Sequence, residues 1–272
     1  MRKINGNMAS VLSIAGFDGS AGAGIQADLK TISALGCYAT TVLTALPIQN
    51  TQGVRTIYSI PEDAVAEQIA CILDDIYPEA IKIGMVHSTA LVEVIHKALQ
   101  GYTGPIIFDP VMVSTSGNKL IEADTITACK ELLFPRAALL TPNLDEVSVL
   151  VGYPVNQKTQ MQQAGEEILA LGAAAVLVKG GHLTDDELQS VLILKDEKPA
   201  YFRSQKIDTK NTHGSGCTLS SAIASFLALG KPLPKAVACG LEYTHQAISA
   251  GKNLGIGQGN GPLHHFWKWE LL

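Results

Sequence analysis

The sequence predicts an α/β fold, a three-layer α/β/α sandwich around a mostly parallel central sheet, with residues 1–272 forming a single domain. Three observations lead to it. Short runs of β-branched and aliphatic residues alternate with segments of helical period, the pattern of repeated βαβ units. Hydrophobic residues make up 47% of the chain and charged residues 17%, which supplies a large core and excludes a disordered chain. No low-complexity linker, charge block or internal repeat marks a domain boundary.

The elements follow in order. Residues 11–15 read as a first strand, followed by a loop of small residues and a helix over 24–35 that Gly36 stops. A strand over 40–45 comes next, then a helix over 61–75 with Pro61 at its start, where the fixed φ of proline suits the first turn. A strand at 80–83 and a helix at 88–99 repeat the unit. Further central strands are expected at 105–109, 138–141 and 174–179, with helices at 123–133, 144–151 and 161–171. The runs 191–195 and 200–204 flank the polar pair Asp196-Glu197 and read as a hairpin. Two apolar helices, 218–229 and 235–250, close the chain after a glycine-rich segment.

Charge and cysteine usage exclude several functions. Lys plus Arg number 20 against 25 Asp plus Glu, a formal charge of −5, which offers no footprint for nucleic acid. No run approaches the roughly 20 apolar residues of a membrane span, and the segment after Met1 is interrupted by Asp18 and glycines rather than forming a secretory signal. The five cysteines are odd in number and scattered without zinc-ligand spacing, which points to a reduced, cytoplasmic protein. Cys37, Cys71, Cys129 and Cys239 are expected to be small buried hydrophobes.

The chemistry concentrates just after predicted strands, where open α/β sheets bind ligands. Asn211-Thr-His-Gly-Ser-Gly-Cys217 leads into an apolar helix, so Gly214, Ser215 and Gly216 place free backbone N–H groups at a helix N-terminus, suited to an anion. At that position the helix dipole is expected to lower the pKa of Cys217, making it a base or polariser and the most readily alkylated of the five thiols. The loop from Gly16 to Gly24 matches neither GxGxxG nor GxxxxGK[ST] and instead lets a substrate ring approach the backbone closely; Asp18 and Gln49 could read such a ring, although single residues of these types more often serve as turn or capping groups. Asp109 ends an apolar strand and Glu146 opens a helix, positions from which carboxylates hold Mg²⁺, although Glu146 also suits a helix N-terminus by itself. Lys179 ends another strand, from which it could pair with nucleotide phosphates, although a strand-end lysine is usually just solvated.

Taken together, these segments resemble the ribokinase-like superfamily and, within it, the hydroxymethylpyrimidine/phosphomethylpyrimidine kinase family of thiamin biosynthesis. The resemblance covers almost the whole chain. It is carried by the segments Ala15 to Asp28, Thr44-Ala-Leu-Pro-Ile-Gln-Asn-Thr51, Lys82-Ile-Gly-Met85, Asp109-Pro-Val-Met112, Thr141-Pro-Asn143, Val178-Lys-Gly-Gly-His182, Asp208 to Thr218 and Gly261-Pro-Leu-His-His265. The resemblance implies a ribokinase-like fold, ATP and Mg²⁺ as cofactors with a monovalent cation left open, and a cytoplasmic homodimer. It implies phosphorylation of 4-amino-5-hydroxymethyl-2-methylpyrimidine and then of its monophosphate. Cys217, Gly214, Ser215 and Gly216 would then be catalytic. Gln49, Asp18, Gly16, Met85 and Val111 would hold the pyrimidine, Asn143, Lys179 and Thr212 would face the nucleotide, and Asp109 and Glu146 would manage the metal.

Phe17, Ala21, Pro47 and Ser215 depart from the family pattern, the first three at the acceptor pocket. The alternative is a pyridoxal or pyridoxine kinase, whose ring also carries a hydroxymethyl group; Gln49 favours the pyrimidine. A non-catalytic pyrimidine sensor has no need of the phosphate site, and the missing GxGxxG argues against a dinucleotide oxidoreductase. No role follows from the sequence for His264 and His265.

Overall fold

The structure, a computed structural model, describes residues 8–112, 121–181 and 186–269. The N-terminal heptapeptide and His182 of the Lys179 motif lie outside the described residues.

β1 (Ser10–Ala15) runs through the small-residue loop into α1 (Gly24–Ala34), and β2 (Tyr38–Leu43) returns beside β1. β3 (Ala45–Asn50) and β4 (Gly53–Ser59) then form an antiparallel hairpin outside the main sheet. α2 (Glu62–Asp75), β5 (Ala80–Ile83), α3 (Thr89–Ala98) and β6 (Ile106–Phe108) follow. α4 (Ala123–Ala128) continues into a π-helical turn over Cys129–Leu133 and a 3₁₀ turn over Phe134–Arg136, where Pro135 blocks further α-helix. β7 (Leu139–Leu140), α5 (Leu144–Val151), α6 (Met161–Leu169) and β8 (Ala175–Lys179) complete the alternation. β9 (Glu187–Leu194), β10 (Ala200–Gln205), α7 (Ser215–Ala228) and α8 (Leu233–Gly251) end it.

The main sheet has the order β10-β9-β8-β7-β6-β5-β1-β2. β2 through β8 in that order pair in parallel, whereas β9 and β10 pair antiparallel at one edge, as the expected hairpin around Asp196 requires. Helices cover both faces, so the central strands carry apolar residues at successive positions rather than alternating with polar ones. Leu12, Ile14, Ile81 and Ile83 face a core shared with α2 and α3, while Val11, Ala80, Ile107 and Leu139 face α7 and α8.

The hairpin β3–β4 is the main departure from the sequence expectation. Thr44 ends the strand expected over 40–45: its N–H bonds Ala15 O at 3.0 Å and its hydroxyl bonds Met85 O at 2.8 Å, which turns the chain out of the sheet. The hairpin tip is then held from far along the chain, because Gly259 N–H donates to Thr51 Oγ1 and Asn260 N–H to Thr51 O. Such contacts leave no local sequence signal.

The chain order reverses between β1 and β5: β2 lies on one side of β1, and β5 and its successors on the other. This is the switch point of an open α/β sheet, where the loops beyond adjacent strands diverge and leave a crevice. The loop after β1 is tightly built and strained at one residue, since Ala21 has φ of 60°. A non-glycine residue there costs about 1–2 kcal/mol, against about 0.5–1 kcal/mol of extra chain entropy for glycine. Ala21→Gly is expected to stabilise the protein by up to about 1 kcal/mol, read as a higher urea midpoint with an unchanged m-value.

Candidate active site

A cavity of about 870 Å³ opens beyond the carboxyl ends of β1 and β5–β8. At one end it is walled by Gly16 and Phe17 after β1, by Pro47 and Gln49 of the hairpin, and by Met85 and Val111. Asp109, Asn143, Glu146 and Lys179 stand at its middle with Thr212 and the segment Gly214–Cys217. Tyr201 of β10 and Leu241, His245 and Ile248 of α8 line its far end. Every site residue expected from the sequence lines this cavity except Asp18.

The first turn of α7 forms the anion site. Gly214 caps the helix in the left-handed region, φ 80° and ψ 14°, and a Cβ there would lie 1.9 Å from Gly22 O, so only glycine allows the two loops to meet. Ser215 N–H bonds back to Thr212 O and Thr218 N–H to Gly214 O. The N–H groups of Gly216 and Cys217 make no such bond among the described residues, which leaves two donors and the positive helix end for a ligand.

An ion pair stands against this turn. Lys179 Nζ lies 2.9 Å from Asp109 Oδ1, which also accepts from Thr141 Oγ1 at 2.9 Å. A Cβ on Gly216 would sit 3.3 Å from Asp109 Oδ2 and 3.4 Å from Lys179 Nζ, so the anion site and the ion pair share one wall. The position of Lys179 is set by the end of β8, where its N–H bonds Pro142 O. Glu146 forms a capping box with Asn143: Glu146 Oε2 accepts from Asn143 N–H at 2.8 Å and Asn143 Oδ1 accepts from Glu146 N–H at 2.9 Å. Glu146 thus both caps α5 and faces the cavity. Burial pushes its carboxyl up to about 7, with the Asp109 charge adding to the effect and Lys179 opposing it.

Two expectations from the sequence are corrected. Asp18 does not face a substrate ring: it is fully buried and saturated. Its Oδ1 accepts from Ser20 N–H and Oγ, and its Oδ2 from Gly22 N–H, Ala23 N–H and His213 Nε2, the last at 2.9 Å. Burial alone would raise its pKa, but the bonds from His213, Ser20 and Ala23 outweigh it and hold the carboxyl well below the usual carboxylate range.

Cys217 is not thiolate-like. Its thiol sits in the cavity wall, partly exposed but enclosed by protein, and burial pushes it up to about 11. Lys82 pulls it down, the carboxylates of Asp28 and Asp109 push it up further, and the Gly24 N–H lowers it slightly. Desolvation is the largest of these influences and leaves the group a thiol. Cys71 is exposed on α2 and Cys239 half-buried, so only Cys37 and Cys129 of the four are the buried hydrophobes expected.

Sequence reasoning missed three residues. His213 lines the cavity beside Gly214. His265 accepts a role the sequence did not suggest: its Nε2 lies 3.1 Å from Thr218 Oγ1, tying the C-terminal segment to the first turn of α7, and burial pushes its pKa down to about 3, so it is neutral. Lys82 belongs to the cavity wall, although none of its own surface is open to solvent. Its signal was a lysine in the otherwise apolar strand Ala-Ile-Lys-Ile.

Among the described residues no group of three or more His, Cys, Asp or Glu side chains forms a closed metal cage. Mg²⁺ does not need one, since it keeps waters and takes one or two carboxylates with substrate phosphates. Asp109, with Oδ2 directed at the first turn of α7, and Glu146 are the carboxylates that could hold it.

The chain as a whole is similar to known kinases. Residues 18–264 match the phosphomethylpyrimidine kinase family. The chain is 44% identical over 262 residues to a hydroxymethylpyrimidine/phosphomethylpyrimidine kinase of Rhizobium meliloti, covering 96% of this chain and 98% of that one. Among solved structures it resembles the phosphomethylpyrimidine kinase of Clostridium difficile, with 39% identity, a TM-score of 0.78 and coverage of 88% and 99%. It also resembles a Bacillus subtilis pyridoxal kinase in complex with ADP, with 34% identity, a TM-score of 0.88 and coverage of 95% and 98%.

Glu146 supplies a pH signature. A carboxyl raised on folding keeps its proton up to about pH 7 in the folded state and only to about pH 4.3 unfolded, so between these values the folded state binds more protons and stability falls as pH rises. Replacing Glu146 with Gln is expected to remove that fall, so the stability of wild type relative to Glu146→Gln declines from pH 4.5 to 7.5 in urea titrations.

Proposed function

The chain belongs to the phosphomethylpyrimidine kinase family, and from that premise we propose how its own residues carry out the reaction. It is an ATP-dependent phosphotransferase of thiamin biosynthesis that phosphorylates 4-amino-5-hydroxymethyl-2-methylpyrimidine and then the resulting monophosphate. The observation that carries the reading is the shared wall of the anion site and the Asp109–Lys179 pair, at the switch point of the sheet.

The acceptor ring lies at the hairpin end of the cavity. Gln49 hydrogen-bonds its ring nitrogen and amino group through an amide that both donates and accepts, and Met85, Val111 and Phe17 cover its apolar surface. The nucleotide takes the other arm, with its base between β10 and α8 and its phosphates toward Asn143, Lys179 and Thr212. Backbone N–H groups of Gly216 and Cys217 receive the transferring phosphoryl group. The acceptor hydroxyl oxygen bonds to the γ-phosphorus as the bond to the β–γ bridging oxygen breaks, ADP leaves, and the hydroxyl proton is released to solvent.

A thiol pushed up to about 11 is protonated at neutral pH. Cys217 therefore aligns and polarises the hydroxyl rather than acting as a standing base, which suits a loose transition state in which the proton departs late. Mg²⁺, when bound, neutralises phosphate charge, and Asp109 and Glu146 would hold it. Free cysteines support a reducing, cytoplasmic setting, and the homodimer rests on the family resemblance alone.

Cys217→Ala is expected to lower kcat by on the order of 10²-fold, as loss of a group that aligns the acceptor does, while the KM for ATP stays within about threefold. Steady-state ADP release measures both. The assignment itself is tested with Mg²⁺-ATP and three acceptors, the pyrimidine alcohol, its monophosphate and pyridoxal, with products identified by mass. Formation of the pyrimidine diphosphate is expected; turnover of pyridoxal alone would make this a pyridoxal kinase.

A further inference from the structure

At the cavity wall lies a charged pair that the reaction described above does not use. Strand alternation turns Ser13 of β1 and Lys82 of β5 toward the face covered by α1 and α7, among apolar residues such as Val11, Ala80, Leu219 and Ile223. Asp28 of α1 and Ser221 of α7 meet them there. Asp28 Oδ2 accepts from Lys82 Nζ at 2.7 Å and from Ser13 Oγ at 2.6 Å, and Asp28 Oδ1 accepts from Ser221 Oγ at 2.7 Å. All four residues are 0% exposed.

The pair is oriented. The carboxylate takes three donors, Lys82 and Ser13 from the strands and Ser221 from α7. The ammonium has three donors and only Asp28 as a hydrogen-bond acceptor among the described residues. Its free side faces the cavity wall, where Cys217 and Asp109 are the next charges or thiols it feels. Gly84 keeps that side open, since a Cβ there would lie 2.7 Å from Lys82 Nζ. A buried ion pair is a poor source of stability compared with apolar residues of the same volume, so its stabilising value does not explain the charge.

We propose that Lys82 is a positioning residue for the transfer step, whose buried ammonium, held by Asp28 under the first turn of α7, sets the charge balance of the anion site through Cys217 and the Gly214–Gly216 backbone without touching substrate. The inference rests on the phosphoryl-transfer reading above. In the transition state negative charge spreads over the transferring group, and a fixed positive charge nearby favours that state over the bound ground state. A cation in the cavity wall with no exposed surface of its own therefore acts on kcat and leaves KM nearly unchanged.

The test removes the charge and keeps the shape. Lys82→Met alone strands a buried carboxylate and risks misfolding, so the informative protein is the double variant Lys82→Met/Asp28→Asn, whose amide retains partners for Ser13 and Ser221. Expected are a thermal midpoint and an ADP affinity close to wild type, a kcat lower by roughly tenfold or more, and KM values within about threefold. Affinity for ADP with aluminium fluoride, a mimic of the transferring group, is expected to fall by a similar factor. A folded double variant with wild-type kcat and fluoride-complex affinity would overturn the proposal, as would a loss of ADP affinity as large as the loss of kcat. The fluoride measurement needs no acceptor, so it reads Lys82 even if the pyrimidine proves to be the wrong substrate.

Discussion

The site depends on a single buried carboxylate. Asp18 gathers Ser20, Gly22, Ala23 and His213 onto two oxygens, and in doing so joins the loop after β1 to the turn before α7, 195 residues away in the chain. Once these backbones are drawn together, Gly214 must be glycine, because any Cβ would collide with Gly22 O, and Ala21 is held in the left-handed region. The energy for that strain comes from charge-assisted hydrogen bonds in a place water does not reach. The outcome is a helix N-terminus with free donors opposite the ends of β1 and β5.

The layer between the sheet and α7 is unusually polar for a core. Thr218, Ser220, Ser221 and Ser225 are all buried in α7, and each hydroxyl is satisfied: Thr218 by His265, Ser221 by Asp28, and Ser220 and Ser225 by carbonyls one turn back in the helix. Buried polar groups that are all paired cost little and define geometry closely, whereas unpaired ones are expensive. This layer therefore fixes the rotation of α7, and with it the direction of the Gly216 and Cys217 N–H groups. The opposite layer is packed with Leu, Ile and Val against α2 and α3 and provides apolar burial.

Desolvation decides the protonation states in and around the cavity. It keeps Cys217 a thiol in spite of the helix end, raises Glu146 toward neutrality, and makes His265 a neutral hydrogen-bond partner. Asp18 is the contrast, because five donors outweigh its burial. Kinase chemistry suits such a site, since the main task is to hold charge and align an acceptor rather than to remove a proton early.

By itself the sequence determined the alternation of strands and helices, the parallel sheet and the set of motifs after the strands. These are local properties: apolar periodicity, proline and glycine punctuation, and glycine at a helix start. Gly16, Met85, Asp109, Asn143, Lys179 and Gly214–Cys217 were legible because each follows a strand at the carboxyl edge, and that edge is where a βαβ fold gathers its loops. Tertiary structure alone decided the rest. The hairpin carrying Gln49 exists because Thr44 turns out of the sheet and Thr51 is pinned by Gly259 and Asn260. The inward turn of Asp18, the neutral thiol of Cys217 and the meeting of Lys82 with Asp28 depend on burial and on partners remote in the chain, and no window of sequence contains either.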